Sequence, residues 1–296
     1  MKKKAGIGQW ILTIILSIWA AFCILPLILV VVVSFSSDES ITNRGFTFFP
    51  ESWSLAAWEY VLGFGQQLVT SYGVTIFVTV SATLLALIVE TMFAYTLSRS
   101  CFRMRKYFAL MMLVTMLFGG GQLSTYYVNV AWYKLSDKLL VLILGGVGAM
   151  HVIIFRTYIQ GNVSESLIES AKIDGAGEFR TFTQIVLPCM LPVLASIGFM
   201  KAIGHWDAWS EAYLYIRSPE KTPLSLLLMK IEKNIEFLMA NADTMDPVAY
   251  EEMAKNLPNE SGRMAILLAS LGPILVAYPF FQKYFVKGIT VGSVKG

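Results

Sequence analysis

The chain has 296 residues, 56% of them hydrophobic and 15% charged, with a net charge of +3 and a mean hydropathy of +0.62. An average soluble domain is nearer a quarter charged, so this composition excludes a single soluble core and points to lipid as the solvent for the surplus apolar surface. The small positive excess forms no nucleic-acid footprint, and Cys23, Cys101 and Cys189 give neither zinc spacing nor a disulfide framework.

The first element follows Met1-Lys2-Lys3-Lys4 and runs apolar from Trp10 to Val33. A secretory signal also starts basic, but its apolar stretch is about 7–15 residues and ends in small residues. This run is longer, holds Pro26, and has no small-x-small cleavage pattern. At about 1.5 Å per residue it reaches roughly 36 Å, enough to span a bilayer, so it reads as a retained first helix. Five more stretches meet the length test, near 70–97, 107–127, 138–156, 190–209 and 264–284. The third and fourth are the least clean, because Gly119-Gly120-Gly121 and Gly145-Gly146 interrupt them. The expectation is an all-α membrane protein of six transmembrane helices. It divides into residues 1–69, an N-terminal helix with an outer loop, and residues 70–296, a five-helix core.

Basic residues set the orientation. With the N-terminus inside, the inner segments collect Lys2 to Lys4, then Arg99, Arg103, Arg105 and Lys106, then Arg156, Lys172 and Arg180, then Lys283, Lys287 and Lys295. The outer loops 34–69 and 128–137 hold only Arg44 and Lys134. Both ends are therefore expected in the cytoplasm. Residues 210–263 form a long outer excursion. Within it Leu224, Leu227, Leu228, Ile231, Ile235, Leu238 and Met239 recur at helical spacing, which predicts an amphipathic helix.

Catalytic signatures are missing. No Gly is followed by Lys, so there is no Walker A phosphate loop. His151 and His205 cannot form a His-x-x-x-His zinc site, and no Gly-x-Ser-x-Gly elbow occurs. The chain reads as a non-enzyme. Ionisable groups inside the predicted spans are few: Glu90, His151, Lys201, His205 and Asp207. A charge at bilayer depth needs a partner and faces the bundle interior or water. Glu90 reads either as a polar contact in a translocation path or as half of a pair with a neighbouring helix or subunit.

The inner loop 157–189 is the most informative segment. Ser166 with Glu169 fits a capping box, and a short helix is expected from about Ser164 to Asp174 with Leu167, Ile168 and Ala171 on one face. Gly175 is a natural stop, because a left-handed conformation costs glycine little. A second short helix is expected from near Gly177, with Phe179, Phe182, Ile185 and Val186 on one side, ended by Leu187-Pro188. Two short helices joined at a glycine turn would expose apolar and acidic groups, and an exposed apolar patch signals a partner surface.

This loop resembles the EAA motif of ABC importer permeases: Glu-Ala-Ala, Gly four residues later, nine residues, then Ile-x-Leu-Pro. Glu169, Ala171, Gly175, Ile185, Leu187 and Pro188 fall in register, with Ser170 replacing the first Ala. Gly204-His205-Trp206-Asp207-Ala208-Trp209, the Thr222-Pro223-Leu224 stretch and the ending from Phe281 to Gly296 are similar to carbohydrate-type, maltose-permease-like members. The resemblance implies a type I ABC importer permease fold in a bacterial plasma membrane. It implies a transport subunit for oligosaccharides or complex polysaccharide fragments, partnered by a second homologous permease, two ATPases and an extracytoplasmic sugar-binding protein. No cofactor is expected in this chain; ATP and Mg would be consumed by the partner ATPases. Coupling to the ATPase would fall to Glu169, Ser170, Ala171, Asp174 and Gly175, with Phe179, Phe182, Leu187 and Pro188 shaping the loop. Sugar contacts would come from Glu90, Trp206, Asp207, Trp209 and Tyr213, though interfacial Trp and Tyr also serve as plain membrane anchors. Alternatives are a permease for a peptide, a polyamine or phosphate, and a secondary transporter that needs no ATPase.

Overall fold

A computed structural model describes residues 7–63, 65–241, 244–246 and 260–293. The basic residues Lys2 to Lys4, residues 247–259 of the outer excursion and the last three residues lie outside that set. Among the described residues the chain is all helical, apart from one isolated bridge between Ser36 and Trp53. The helices used below are α1 (Ile7–Ser34), α2 (Asp38–Arg44), α3 (Ala56–Gly63), α4 (Gly65–Ser98), α5 (Arg105–Leu117), α6 (Gly121–Tyr127), α7 (Leu140–Leu144), α8 (Ala149–Asn162), α9 (Glu165–Ile173), α10 (Glu178–Thr181), α11 (Leu191–Trp206), α12 (Trp209–Tyr215), α13 (Leu224–Asn241) and α14 (Glu260–Ser293).

Among the described residues four helical stretches are long and apolar enough to cross a membrane: 8–34, 65–98, 140–162 and 260–282. The count becomes six when each of two bent pairs is taken as one span. Both bends have a local cause. In the third stretch α5 stops at Leu117, and the path turns by 112° before continuing as α6 and a wide π turn, Val128–Trp132. Gly119, Gly120 and Gly121 occupy the break, and Gly121 sits at φ +76°, a conformation that penalises any side chain. In the fifth stretch a 79° bend falls at Met190, between Pro188 and Pro192. A proline has no N–H to give to the preceding turn but fits the first turn of a new helix. The sequence places that turn at Leu187-Pro188. The helical path instead runs on to Cys189, because a π turn over Phe182–Val186 accommodates the proline: Leu187 N–H reaches back five residues to the Phe182 carbonyl.

Two compact units form. One comprises the described residues up to 68 together with 228–273. Its small core joins Ala57 and Val61 of α3 to Ala265 and Ile266 of α14, with Leu228 and Ile231 packed alongside. Arg263 pairs with Glu232 and with Glu260 at 2.7 Å, and Phe35 stacks on Trp58 at 5.5 Å. Over residues 8–28 helix α1 keeps its apolar side chains exposed all round, as with Trp19 and Phe22, which is the pattern of a helix whose solvent is lipid.

The other unit comprises 69–227 and 274–293. Its core gathers Ala94 and Leu97 of α4, Val152, Phe155 and Ile159 of α8, Ile168 of α9, and Phe182, Val186 and Met190 leading into α11. Small residues allow close approach: Ala82, Ala86 and Ala94 along α4 are fully buried. The predicted amphipathic helix exists as α13, and Leu224, Leu226 and Ile235 are buried along it.

Candidate functional site

The inner loop folds as an elbow. Helix α9 is capped by Ser164, not by Ser166 as the spacing suggests, and Ser164 makes no side-chain cap hydrogen bond. The Ser166 hydroxyl instead donates to Ser164 Oγ at 3.2 Å, so the capping box does not form. The other end obeys expectation closely. Ala176 N–H donates to the Ala171 carbonyl at 2.9 Å, and Gly175 N–H to the Lys172 carbonyl at 3.0 Å. This pair of bonds is a Schellman closure, and it requires the left-handed residue that Gly175 supplies at φ +79°. Helix α10 starts at once, with Gly177 as its N-cap.

The elbow turns a mixed face outward. Ile173 is 86% and Phe179 71% exposed, and Leu167 is also exposed. Glu169, Ser170 and Asp174 stand exposed beside them. Behind that face Ile168 and Ala171 are buried, and Phe182 packs on the Tyr95 ring at 5.3 Å. The expected grouping of Phe179 with Phe182 and Val186 therefore does not hold: Phe182 and Val186 point inward and Phe179 outward. The shared face of α9 likewise keeps Ile168 and Ala171 but loses Leu167. Leu187 is half-buried and Pro188 exposed.

Glu178 holds the elbow in place, and sequence reasoning gave it no role. Its carboxylate accepts from Lys172 Nζ at 2.7 Å and from Tyr95 O–H at 2.6 Å, and Arg99 Nε lies 3.8 Å away. One side chain thus ties α9 and α10 to each other and both to the end of α4. A second tie runs from Ser100 O–H to Glu165 at 3.0 Å. The available signal was an acid just after Gly177, at a helix start, within reach of Lys172.

A second cluster lies within the spans. Glu90 of α4 is fully buried, and one oxygen accepts from Lys201 Nζ of α11 at 2.8 Å and from Gly148 N–H at 2.7 Å. Lys201 also donates to the Gly146 carbonyl at 2.7 Å, and His151 Nδ1 stands 3.6 Å from Glu90. The break between α7 and α8 exists to make these contacts, since it frees the Gly146 carbonyl and the Gly148 amide from helix pairing. Glycine is needed there: a Cβ on Gly146 would sit 2.7 Å from His205 Nε2.

Lys201, His151 and His205 line a cavity of about 540 Å³, with Asn129, Glu211 and Tyr215 on its other walls. Asn129 Nδ2–H donates to the Tyr215 hydroxyl at 3.0 Å, and Tyr126 stacks on the Tyr215 ring at 5.6 Å. A clasp centred on Asp137 fixes the adjoining backbone. Asp137 accepts from Ser218 O–H at 2.5 Å, from Lys221 Nζ at 2.9 Å, and from the amides of Arg217 and Ser218. These donors hold its carboxyl far below the usual carboxylate range, the Ser218 hydroxyl contributing most.

Of the sequence-predicted path residues, Glu90 belongs to the buried cluster behind Lys201. Trp206 is buried with its ring 6.5 Å from Tyr72, Asp207 caps α11, and Trp209 and Tyr213 are exposed. The cavity wall takes Glu211 and Tyr215 from the same short helix instead. Helical phase explains this, since positions 211 and 215 share a face that 209 and 213 do not. Among the described residues no group of three or more His, Cys, Asp or Glu is placed to hold a metal ion.

The sequence pattern of a family described as "Binding-protein-dependent transport system inner membrane component" matches residues 100–291. The chain is 34% identical to the polygalacturonan/rhamnogalacturonan transport system permease protein YtcP of Bacillus subtilis (strain 168), over 95% of this chain and 96% of that one. It is 34% identical to Protein LplC of the same organism, over 93% of this chain and 90% of that one. In three dimensions it resembles a chain from the crystal structure of a bacterial ABC transporter involved in the import of the acidic polysaccharide alginate. The TM-score is 0.79 at 28% identity, covering 96% of this chain and 100% of that one.

Proposed function

The chain belongs to the family of binding-protein-dependent transport system inner membrane components, and on that premise we propose that it is one of two permeases of an ATP-driven importer for oligosaccharides, driven through residues 164–188. Six spans with both ends in the cytoplasm put the elbow on the side where ATP is. Glu169, Ser170, Asp174 and Gly175 then present the docking face, Ala171 supports it from beneath, and Phe182, Leu187 and Pro188 set its angle. A second permease closes the path, two ATPases bind and hydrolyse ATP with Mg, and an extracytoplasmic sugar-binding protein delivers the solute. The chain itself performs no covalent chemistry. ATP-driven closure of the ATPases would move the elbow as a rigid body and switch the helices between two packings.

One observation carries this reading: the Schellman turn at Gly175 leaves Ile173, Phe179, Glu169 and Asp174 exposed together on a pinned elbow. Such a mixed apolar and acidic face, held rigid with nothing of its own unit over it, is a docking surface. For the solute, one similar protein is named for polygalacturonan and rhamnogalacturonan and another for the acidic polysaccharide alginate, and the cavity lined by Lys201, His151, His205, Asn129, Glu211 and Tyr215 offers hydrogen-bonding groups. Uronate-bearing oligosaccharides are therefore the first solutes to try. In this reading Glu90 orients Lys201, while Trp206, Asp207, Trp209 and Tyr213 lie outside the lining of the cavity.

The test reconstitutes the assembled transporter in proteoliposomes and follows uptake of galacturonan fragments with and without ATP. ATP-dependent uptake that is lost with Gly175→Val, while the variant still inserts, is the expected result. Uptake by this chain alone with no ATPase, or an Ile173→Cys thiol labelled only from outside, overturns the reading.

A further inference from the structure

A second cavity, of about 500 Å³, opens beside the elbow. Its walls are the end of α4, the inner turn that follows, the end of α8 and the start of α9. Arg99 lines it although only 8% of that residue is exposed. The Arg99 Nε is buried without a hydrogen-bond partner among the described residues. The nearest acid, Glu178, is 3.8 Å off, and its carboxylate already accepts from Lys172 and Tyr95. A guanidinium is a planar fork of five donors, and leaving part of it unpaired in a buried place is costly.

The other walls add to this demand for an acceptor. Arg105 also faces the cavity. Helix α9, nine residues long, begins there, and its N-cap Ser164 sets no side-chain oxygen on the first-turn amides. An uncapped helix N-terminus favours an anion. The Ser98 and Ser100 hydroxyls are committed to the Tyr95 carbonyl and to Glu165, and Asn162 gives one N–H to the Tyr158 carbonyl and keeps one. Glu165 is the one acid in the lining, and it is bonded to Ser100 at 3.0 Å. Two arginines against one carboxylate leave the cavity cationic.

We propose that this cavity binds a phosphate group, either the headgroup of an anionic phospholipid or a free phosphate ion. Phosphate matches the fork geometry of arginine and the uncapped first-turn amides of α9. Basic pockets between spanning helices on the cytoplasmic side are the recurrent form of such sites. The inner turn also provides its own control. Arg99, Arg103, Arg105 and Lys106 lie within eight residues, yet only Arg99 and Arg105 line the cavity, while Arg103 is exposed and does not.

The experiment uses the assembled transporter in lipid nanodiscs of phosphatidylcholine, with and without phosphatidylglycerol. Retained phosphatidylglycerol is counted by native mass spectrometry, and inorganic phosphate is titrated into phosphatidylcholine discs with thermal stability as the readout. Arg105→Gln is expected to weaken retention or phosphate affinity about tenfold, the loss of a charge-assisted hydrogen-bonding group, while Arg103→Gln changes it less than about twofold. Retention of phosphatidylglycerol without a phosphate response assigns the site to lipid; a saturable phosphate response that displaces the lipid assigns it to the free ion. Because Arg99 is buried beside Tyr95, Arg99→Gln is scored only in preparations that elute and melt as the wild type. Equal losses in Arg103→Gln and Arg105→Gln would mean diffuse surface charge and overturn the site. So would wild-type and Arg105→Gln proteins that hold neither anion differently.

Discussion

The elbow and the Glu90–Lys201 cluster solve opposite problems with similar groups. In the elbow, Glu178 is half exposed and gathers a lysine, a tyrosine and a nearby arginine to fix the pose of an exposed face. In the spans, Glu90 is fully buried and gathers a lysine, a backbone amide and a histidine so that a charge survives away from water. The difference teaches where each ion pair earns its keep. An exposed pair adds little stability, so the value of Glu178 is positional. A buried pair is costly to break, because removing one partner strands the other, so Glu90 and Lys201 are bound to each other's presence.

Substitutions can break or sharpen that contrast. The largest effect is expected from Gly175→Val. A β-branched residue in the left-handed region costs roughly 1–2 kcal/mol or more, the Schellman bonds give way, and ATP-dependent uptake should fall at least about tenfold while membrane insertion, followed by expression and elution, is unchanged. Lys201→Met should come next and should act on folding instead. It strands the Glu90 carboxylate at a cost of about 3–5 kcal/mol, read as loss of folded protein on gel filtration. The double variant Glu90→Gln with Lys201→Met should recover most of it, and recovery no better than the single variant would show that the pair is not the reason. Gly146→Ala is expected to be milder, about 1–3 kcal/mol, since the new methyl meets His205 Nε2 at 2.7 Å; His205→Ala in the same chain should relieve it. Glu178→Gln should leave the melting temperature within about 2 °C, the scale of an exposed pair, yet uncouple ATP hydrolysis from solute severalfold.

The smallest effect concerns Asp137. Its folded-state carboxyl titrates below the usual range, so the clasp contributes fully above the unfolded value of about 3.9 and is lost only as pH falls through the lower folded value. Between about pH 5 and 8 the stability difference between wild type and Asp137→Asn should therefore be flat, as measured by thermal melts. A difference that shrinks as pH falls from 8 to 5 would contradict the clasp.

How much was legible in advance depended on whether the signal was local. Apolar run length marked the long apolar helices, and Gly175 marked the left-handed stop of the first short helix, because each is decided by a few neighbouring residues. The caps failed where another local hydrogen-bonding pattern competes. Ser166 turned to Ser164, and Leu187-Pro188 did not end the helix because a π turn absorbed the proline. Pairings across the chain were out of reach. Nothing local joins Glu90 to Lys201, or Tyr95 to Glu178, 83 positions away. The cavity residues Glu211 and Tyr215 were passed over for the more conspicuous Trp209 and Tyr213, since aromatic content says nothing about helical phase.

Tyr95 and Glu90 sit on one continuous helix, α4. At about 1.5 Å per residue they are roughly 7.5 Å apart along its axis. An α-helix resists stretching over so short a length, so the two behave as marks on one rod. Any tilt or slide that Glu178 imposes on the rod at Tyr95 arrives at Glu90 almost undiminished, and with it at the lysine and the two glycine backbones clamped there. Sensing at one end and strain at the other need no relay of intermediate residues, only a stiff member with both attached.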